Sequence, residues 1–168
     1  MALIILFGLA GAGKTYVGNV MASALPKTVF QDGDEWLTPE MHTAINAKQK
    51  FTSSMRRRFV EIMVDEIKAL QNKYPEHNIV IAQGLYRQEN RNFLIKNFPE
   101  AVFIEVRSKL ENIQRRLQKR NDFISFDYAT FLSKGFEEMP ESLILHNDED
   151  GDAEIIKKIK LMAATLMK

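Results

Sequence analysis

The stretch GLAGAGKT, Gly8 to Thr15, directly follows the apolar run Ala2 to Phe7 and is the clearest motif in the chain. It satisfies the pattern G-x-x-x-x-G-K-[ST], with a strand-like run before it and a helix pattern to Leu25 after it. Glycine tolerates backbone angles that other residues avoid, so successive N–H groups can converge on one anion, and the helix dipole adds to them. The stretch therefore predicts a pocket for a polyphosphate, and a flexible glycine turn is the alternative.

The side chains of this loop indicate which polyphosphate it binds. Lys14 is placed to bridge the β- and γ-phosphates of a nucleoside triphosphate, and Thr15 offers a hydroxyl to Mg²⁺. We therefore expect ATP and Mg²⁺ as cofactors. The residues expected to hold the nucleotide are Gly8, Ala10, Gly11, Ala12, Gly13, Lys14, Thr15 and Tyr16.

Two acids follow the second strand-like run, in the segment FQDGDEW. Asp32 and Asp34 are two residues apart, so in an extended chain both carboxylates point the same way, and Gly33 allows a turn between them. A carboxylate near a metal and another near an acceptor hydroxyl suit phosphoryl transfer to an alcohol. The third run, NIVIAQG, ends without an acid, so Asp32 is expected at the metal and Asp34 at the acceptor. The alternative is an Asp-Gly turn with two solvated acids.

Arginines near two helix ends are the remaining candidates. Arg56 begins a long helix, where a solvated helix face is the alternative. Arg116 and Arg120 are four residues apart, ahead of the segment Asn121 to Pro140, which has no strong core pattern. A lid that brings arginines to developing negative charge has this pattern, whereas basic residues that complement a helix dipole are the competing explanation.

The strand-like runs alternate with helical patterns and are continuously apolar, which is typical of a sheet covered on both faces. We expect an α/β fold, a three-layer sandwich with a five-stranded, mainly parallel sheet, and a single domain over residues 1–168 with a lid at about 116–140. Ligands bind beyond the carboxyl ends of such strands. The runs are Leu3–Phe7, Thr28–Gln31, Ile79–Ala82, Val102–Val106 and Leu143–Leu145.

Capping patterns predict where three helices begin. Thr52 or Ser53 precedes the longest apolar helical face, and Ser108 with Glu111 has the spacing of a capping box. Asp152 could cap the last helix. These signals place helices before the third strand, after the fourth and after the fifth.

Charge and composition exclude several classes of partner. Lys and Arg number 23 and Asp and Glu 22, a net charge of +1, so neither nucleic acid nor a membrane is indicated. There is no cysteine, which suits a reducing compartment. The apolar start lacks a preceding Lys or Arg and is followed by Lys14, unlike a secretory signal, and we expect a cytoplasmic protein. The sequence leaves a homodimer open.

The motifs resemble those of the small P-loop sugar-acid and metabolite kinases, especially gluconate kinase and, more distantly, shikimate kinase. The likeness covers GLAGAGKT, the DGD at Asp32 to Asp34, NIVIAQGLYRQENRNFL and EVRSKLENIQRRLQKRNDF. It implies a P-loop NTPase fold and a kinase activity. By this resemblance Thr15 and Asp32 would serve Mg²⁺, Asp34 the acceptor hydroxyl, Arg56 the acceptor carboxylate, and Arg116 and Arg120 the ATP phosphates and adenine. Gly84 and Arg87, in the loop after the third strand, fall on the acceptor side.

The departures from that family lie on the acceptor side. Gluconate kinases carry histidine-proline where this chain has Thr38-Pro39, and an acid-rich D-x-D-R where it reads Ser53-Ser54-Met55-Arg56. The lysine of their third loop is Tyr86 here, followed by Arg87. The lid lacks their histidine before Phe123. The resemblance therefore implies the family's nucleotide-binding residues in this chain, but it does not imply gluconate as the acceptor.

These patterns predict an ATP-dependent kinase that transfers the γ-phosphate to a hydroxyl of a small, polar, anionic metabolite such as a sugar acid. Lys14, Asp34, Arg116 and Arg120 would be its catalytic residues. Two alternatives remain at this point: a nucleotide-binding regulatory module without transferase activity, and a phosphotransferase that acts on nucleosides or antibiotics.

Overall fold

The strand that precedes the glycine-rich loop lies at the centre of a parallel sheet. The computed structural model describes residues 1–119, 124–148 and 151–166, the last three as backbone only. The strands are paired in the order β2-β3-β1-β4-β5, and every pair is parallel. This confirms the predicted sheet. Their bounds are β1, Leu3–Phe7; β2, Thr28–Asp32; β3, Asn78–Ala82; β4, Val102–Arg107; and β5, Leu143–His146.

Helices connect the strands and cover both faces of the sheet. A short 3-10 helix, Gly33–Trp36, continues directly from β2. The α-helices of the described residues are α1, Lys14–Ala24; α2, Pro39–Asn46; α3, Ser53–Lys73; α4, Gln88–Asn97; α5, Leu110–Lys119; α6, Phe126–Ser133; and α7, Asp152–Leu166. None of these helices is long and apolar enough to cross a membrane.

Strand β1 is apolar along its whole length because its two faces belong to two different cores. Ile4 and Leu6 pack with one set of buried residues, which includes Met21 of α1 and residues of α7. Ile5, with Leu3 and Phe7, packs with another set, which includes Met63 of α3. Successive side chains of a strand point to opposite faces, so a strand between two helical layers has no polar position.

Two helix starts test the capping predictions. Thr52 caps α3, since its hydroxyl accepts a hydrogen bond from the Met55 N–H at 3.2 Å, as predicted. The prediction of a capping box at Ser108 is wrong. The Ser108 hydroxyl donates instead to the carbonyl of Asn147, and Asp148 accepts from the Lys109 N–H at 2.7 Å. A side chain that follows β5 has replaced the local cap, because parallel β4 and β5 bring the two loops together.

Helix α6 lies within the predicted lid and contacts the loop between α2 and α3; we call this helix the lid. The Tyr128 hydroxyl donates to the Gln49 carbonyl at 2.6 Å, and the Lys50 ammonium lies 4.7 Å from the centre of the Phe131 ring. Arg116, where the predicted lid begins, lies on α5, and Ile113 and Leu117 of that helix contact the glycine-rich loop. The start of the predicted lid therefore falls on a helix that contacts the glycine-rich loop.

Candidate active site

The glycine-rich loop Gly8–Gly13 joins β1 to α1 at the carboxyl edge of the sheet. Gly8 and Gly13 have φ angles of 140° and 92°, which L-residues rarely adopt. A Cβ at Gly8 would lie 2.5 Å from the Val106 carbonyl oxygen, and one at Gly13 would overlap the Asn147 amide. Both glycines are therefore required by backbone angle and by space, which explains the motif spacing.

The Lys14 ammonium turns back over this loop. It donates to the carbonyls of Gly8 at 3.1 Å and Leu9 at 2.9 Å. The charge thus lies over the concave side of the loop, at the positive end of α1. This is the position from which an ammonium can bind a phosphate at a helix N-terminus.

Thr15 and Asp32 meet beside the loop, as predicted. The Thr15 hydroxyl donates to Asp32 Oδ2 at 2.7 Å, and Asp32 Oδ1 accepts from the Asp34 N–H at 3.0 Å. A hydroxyl and a carboxylate next to a phosphate pocket are the oxygen donors that suit Mg²⁺, which takes few protein ligands and the rest from phosphates and water. Among the described residues there is no cluster of three or more His, Cys, Asp or Glu that could hold an ion alone, so the donor set fits an ion that arrives with a nucleotide.

Asp34 faces the same cleft from the start of the 3-10 helix. Its Oδ1 accepts from the Gln83 side-chain amide at 3.0 Å. The carboxylate is accessible through the mouth of the cleft, but the cleft walls partly desolvate it, and this effect, with the nearby charge of Asp32, raises its pKa above the usual value. Lys14 and the Gln83 hydrogen bond oppose the shift. Gln83 was not predicted, although the sequence shows it as the polar residue directly after β3.

Arg116 holds the outer wall of the loop. Its guanidinium donates to the carbonyls of Gly11 and Ala12 at 3.3 and 3.2 Å, and to the Asn147 carbonyl at 2.9 Å. Asn147 also donates to the Ala12 carbonyl at 2.9 Å and is buried. Arg116 is thus beside the nucleotide pocket, as predicted, but through the back of the loop. Asn147 is a site residue that was not predicted from the sequence. Arg120, which was predicted together with Arg116, lies outside the described residues.

Tyr86 joins the loop after β3 to the glycine-rich loop. The Ala10 N–H donates to the Tyr86 hydroxyl at 2.9 Å, and the Tyr86 ring packs edge-on against Phe136. Burial raises the pKa of Tyr86, so the phenol stays protonated. At the position where the resembling family has a lysine, this chain therefore has a neutral group that bonds the phosphate pocket itself.

Arg56, Gly84 and Arg87, the predicted acceptor residues, line the same cleft as Asp34. Arg56 donates to the Phe51 carbonyl at 2.6 Å and lies 3.4 Å from Glu89. Arg87 lies 3.3 Å from Glu137, which follows the lid. The two arginines thus belong to neighbouring elements, since Arg56 on α3 contacts Glu89 of α4 and Arg87 directly precedes α4.

Tyr16 does not face the cleft. Its hydroxyl donates to Asp152 at 2.5 Å, and its ring contributes to a surface groove between α1 and α7. Tyr16 was predicted among the residues that hold the nucleotide, and its side chain lies outside the cavity that the glycine-rich loop lines. The acceptor of this hydrogen bond, Asp152, is the first residue of α7.

Arg91 supports the acceptor side from beneath and was not predicted. It is fully buried and donates to the carbonyls of Leu85 at 3.1 Å and Glu137 at 2.5 Å. Its guanidinium also lies over the Phe7 ring. One side chain thus fastens the loop after β3 to the chain that leaves the lid.

A cavity of about 260 Å³ extends from the glycine-rich loop past Asp34 to the loop after β3. The glycine-rich loop forms one end, and α2, the start of α3, the loop after β3 and the lid form the other. Its polar or charged lining residues are Lys14, Thr15, Asp32, Asp34, Lys50, Arg56, Gln83, Tyr86, Arg87 and Asn90. The loop end suits a polyphosphate, and the far end suits a second molecule whose reacting atom would lie near Asp34.

A family model described as "AAA domain" matches residues 4–124, which include the glycine-rich loop, Asp32 and Asp34. The chain belongs to this AAA-domain family. Its glycine-rich loop, parallel sheet and helical layers are those of a P-loop protein, which confirms the predicted fold class.

The relatives of this AAA-domain protein include kinases of small molecules. A probable gluconokinase from Dictyostelium discoideum is 27% identical over 131 residues, 71% of this chain and 62% of the relative, so the match spans about three fifths of that protein. Two solved structures share the fold at 18% identity, each covering 99% of this chain and 94% of the other: a gluconokinase from Sinorhizobium meliloti 1021 (TM-score 0.80) and a sugar kinase from Janibacter sp. HTCC2649 (TM-score 0.81). The resemblance drawn from the motifs is thereby supported.

Proposed function

We propose that this protein is an ATP-dependent kinase that transfers the γ-phosphate to a hydroxyl of a small anionic molecule. The observation that carries the proposal is the convergence of Thr15, Asp32 and Asp34 at the mouth of the glycine-rich loop. A phosphate-binding loop alone would suit any nucleotide-binding protein. A second carboxylate, facing a cavity large enough for another molecule, suits transfer to an alcohol.

The chain's own groups divide the reaction between them. The loop amides and Lys14 would bind the β- and γ-phosphates, while Thr15 and Asp32 would hold Mg²⁺, which neutralises phosphate charge when bound. Asp34 would orient the acceptor hydroxyl and take its proton as the oxygen–phosphorus bond forms and the bond from the γ-phosphorus to ADP breaks. Arg56 and Arg87 would hold the acceptor's anionic group.

A sugar acid such as gluconate is the first acceptor to test, because the similar proteins include gluconokinases and the cleft carries more cationic than anionic side chains. The lack of cysteine is consistent with a cytoplasmic site of action.

The test is consumption of ATP by the purified full-length chain with Mg²⁺ and a panel of hydroxy acids, sugars, nucleosides and hydroxyl-bearing antibiotics. We expect ADP and a phosphorylated acceptor, and neither with Lys14→Ala. Binding of Mg-ATP without transfer to any acceptor would support the regulatory module instead. No affinity for Mg-ATP or Mg-GTP would contradict both.

A further inference from the structure

The far end of the cavity has walls that are unlike those expected for a sugar acid. Seven apolar side chains line it, from α2, the segments before and after α2, α3, the loop after β3 and the lid. They are Leu37, Met41, Ile45, Phe51, Phe59, Leu85 and Leu132. We call these residues the apolar wall.

Polar and charged side chains share the cavity lining with the apolar wall. Asp34 and Tyr86 mark the end near the glycine-rich loop, while Arg56, Arg87 and Lys50 supply positive charge around the rest. The two acids in the lining, Asp32 and Asp34, both lie at the loop end. The cavity thus offers one place for a reacting hydroxyl and one for an anion.

A polyhydroxylated acid fits these walls poorly. Each of its hydroxyls loses water on binding and needs a hydrogen-bond partner in return. Leucine, methionine, isoleucine and phenylalanine side chains offer none, so the penalty would rise with every hydroxyl. For a ligand with an apolar body of similar size, removal of that surface from water would instead make the binding free energy more favourable.

The backbone conformation at Leu85 indicates that the surrounding structure holds the apolar wall in a specific position. Leu85 has a φ of 47°, in the left-handed region that residues with a Cβ seldom occupy. Its carbonyl is held by the buried Arg91 at 3.1 Å, and its side chain is itself buried beside the cavity. Strain of this kind persists only where the surroundings fix it, and it is concentrated at functional sites.

We propose that the phosphate acceptor is a hydroxy acid with an apolar, ring-sized body. Its anion would lie at Arg56 and Arg87, its body against the apolar wall, and its hydroxyl at Asp34. This inference rests on the proposed kinase function and narrows the acceptor within it.

The test measures binding of two matched sets of acids to the full-length chain with Mg²⁺ and a non-hydrolysable ATP analogue. The aromatic set is 3-phenyllactate, mandelate and 4-(hydroxymethyl)benzoate, and the polyhydroxylated set is gluconate, shikimate and glycerate. Calorimetry gives the affinities. Trp36, the single tryptophan, lies next to Leu37 and reports occupancy by fluorescence. We expect the best aromatic acid to bind about tenfold or more tightly than the best polyhydroxylated one, a difference of roughly 1.4 kcal/mol.

Variants show whether the preference comes from the apolar wall. Phe51→Asn and Leu132→Asn, both at half-buried positions, should each reduce the preference about fivefold or more, by loss of apolar contact on binding. Leu161→Asn, on the exposed face of α7, is the matched control and should leave it unchanged. Circular dichroism confirms that each variant is folded.

The outcomes separate the inference from the function it narrows. If no aromatic acid binds more tightly than gluconate, or if the preference survives both wall variants, the inference is wrong. Transfer of phosphate to gluconate with the aromatic acids ignored would overturn it while confirming the kinase. Tight binding of aromatic acids with no ADP formed from ATP, for any acceptor of the panel, would instead contradict the kinase.

Discussion

The backbone N–H of Ala10 donates to the hydroxyl of Tyr86 at 2.9 Å, so a side chain from the acceptor side satisfies an amide of the phosphate-binding loop. The two residues are 76 positions apart in the chain and come from loops that follow neighbouring strands, β1 and β3. The Ala10 amide therefore already has a hydrogen-bond partner within the protein. A phosphate bound at the loop must either leave this hydrogen bond in place or replace it.

Tyr86→Phe tests which of these happens. If the nucleotide takes over the Ala10 amide, removal of the hydroxyl leaves this amide unpaired only in the free protein. ATP affinity should then rise about two- to tenfold, since one hydrogen bond contributes roughly 0.5–1.5 kcal/mol. Calorimetry measures it, with Tyr74→Phe at the end of α3 as the control. An unchanged affinity would mean that Tyr86 keeps its bond beside the nucleotide.

Asp34→Asn should reduce kcat about 10²- to 10⁴-fold, the usual contribution of a positioned proton acceptor, and leave the KM for ATP nearly unchanged. The reason is that Asp34 faces the acceptor side, while Asp32 faces Thr15. The measurement is steady-state ADP release. Glu35→Gln, at the exposed neighbouring position, is the matched control and should behave as wild type. Wild-type turnover in Asp34→Asn would remove this carboxylate from the reaction.

Arg116→Ala should weaken ATP binding and lower the melting temperature together. The guanidinium holds three carbonyls behind the loop, and buried acceptors left unpaired cost about 1–3 kcal/mol. A domain of this size loses roughly 2–4 °C per kcal/mol. Thermal unfolding and calorimetry measure the two effects. Arg115→Ala, on the helix surface near Asn112, is the comparison. A slower reaction with unchanged stability would favour a purely catalytic role for Arg116.

Arg91→Met should destabilise the protein by about 3 kcal/mol, because the carbonyls of Leu85 and Glu137 would lose their buried donor. The melting temperature should fall by roughly 6–12 °C. Arg57→Met is a suitable control, since Arg57 is exposed and pairs with Glu61 across one helical turn, an interaction worth less than about 1 kcal/mol. Equal effects of the two substitutions would show that Arg91 is not needed to hold the acceptor loop.

Asp148 gives the fold a measurable dependence on pH. Burial opposes its ionisation, but hydrogen bonds from the Lys109 N–H, Ser108 and Asn112 outweigh this and lower its pKa below the usual 3.8. Because the folded state binds the proton less well, the stabilisation is complete above the ordinary pKa. It is lost as the pH falls through the lower, folded value.

Asp148→Asn should therefore cost about 1 kcal/mol at pH 7 and less near pH 2. Chemical unfolding of both proteins at the two pH values provides the measurement. A difference between the two proteins that is the same at both pH values would contradict the assignment.

The features that were predictable from the sequence are those that local pattern determines. The glycine spacing fixes the loop, and the carboxyl ends of parallel strands bring Asp32 to Thr15 over 17 residues. By contrast, the contacts of Tyr86, Arg91 and Asn147 depend on which loops the sheet order brings together. No local signal marks them. Ser108 failed as a cap for the same reason, since Asp148 competes for the amide from another strand's loop.

The bond between Asn147 and the Ala12 carbonyl also bears on how the protein is made. The loop near the start of the chain takes part of its shape from a residue that leaves the ribosome only after all five strands have emerged. Competence to take up nucleotide is therefore a late event of biosynthesis, and a nascent chain that stops before β5 would carry the complete motif without a finished binding loop.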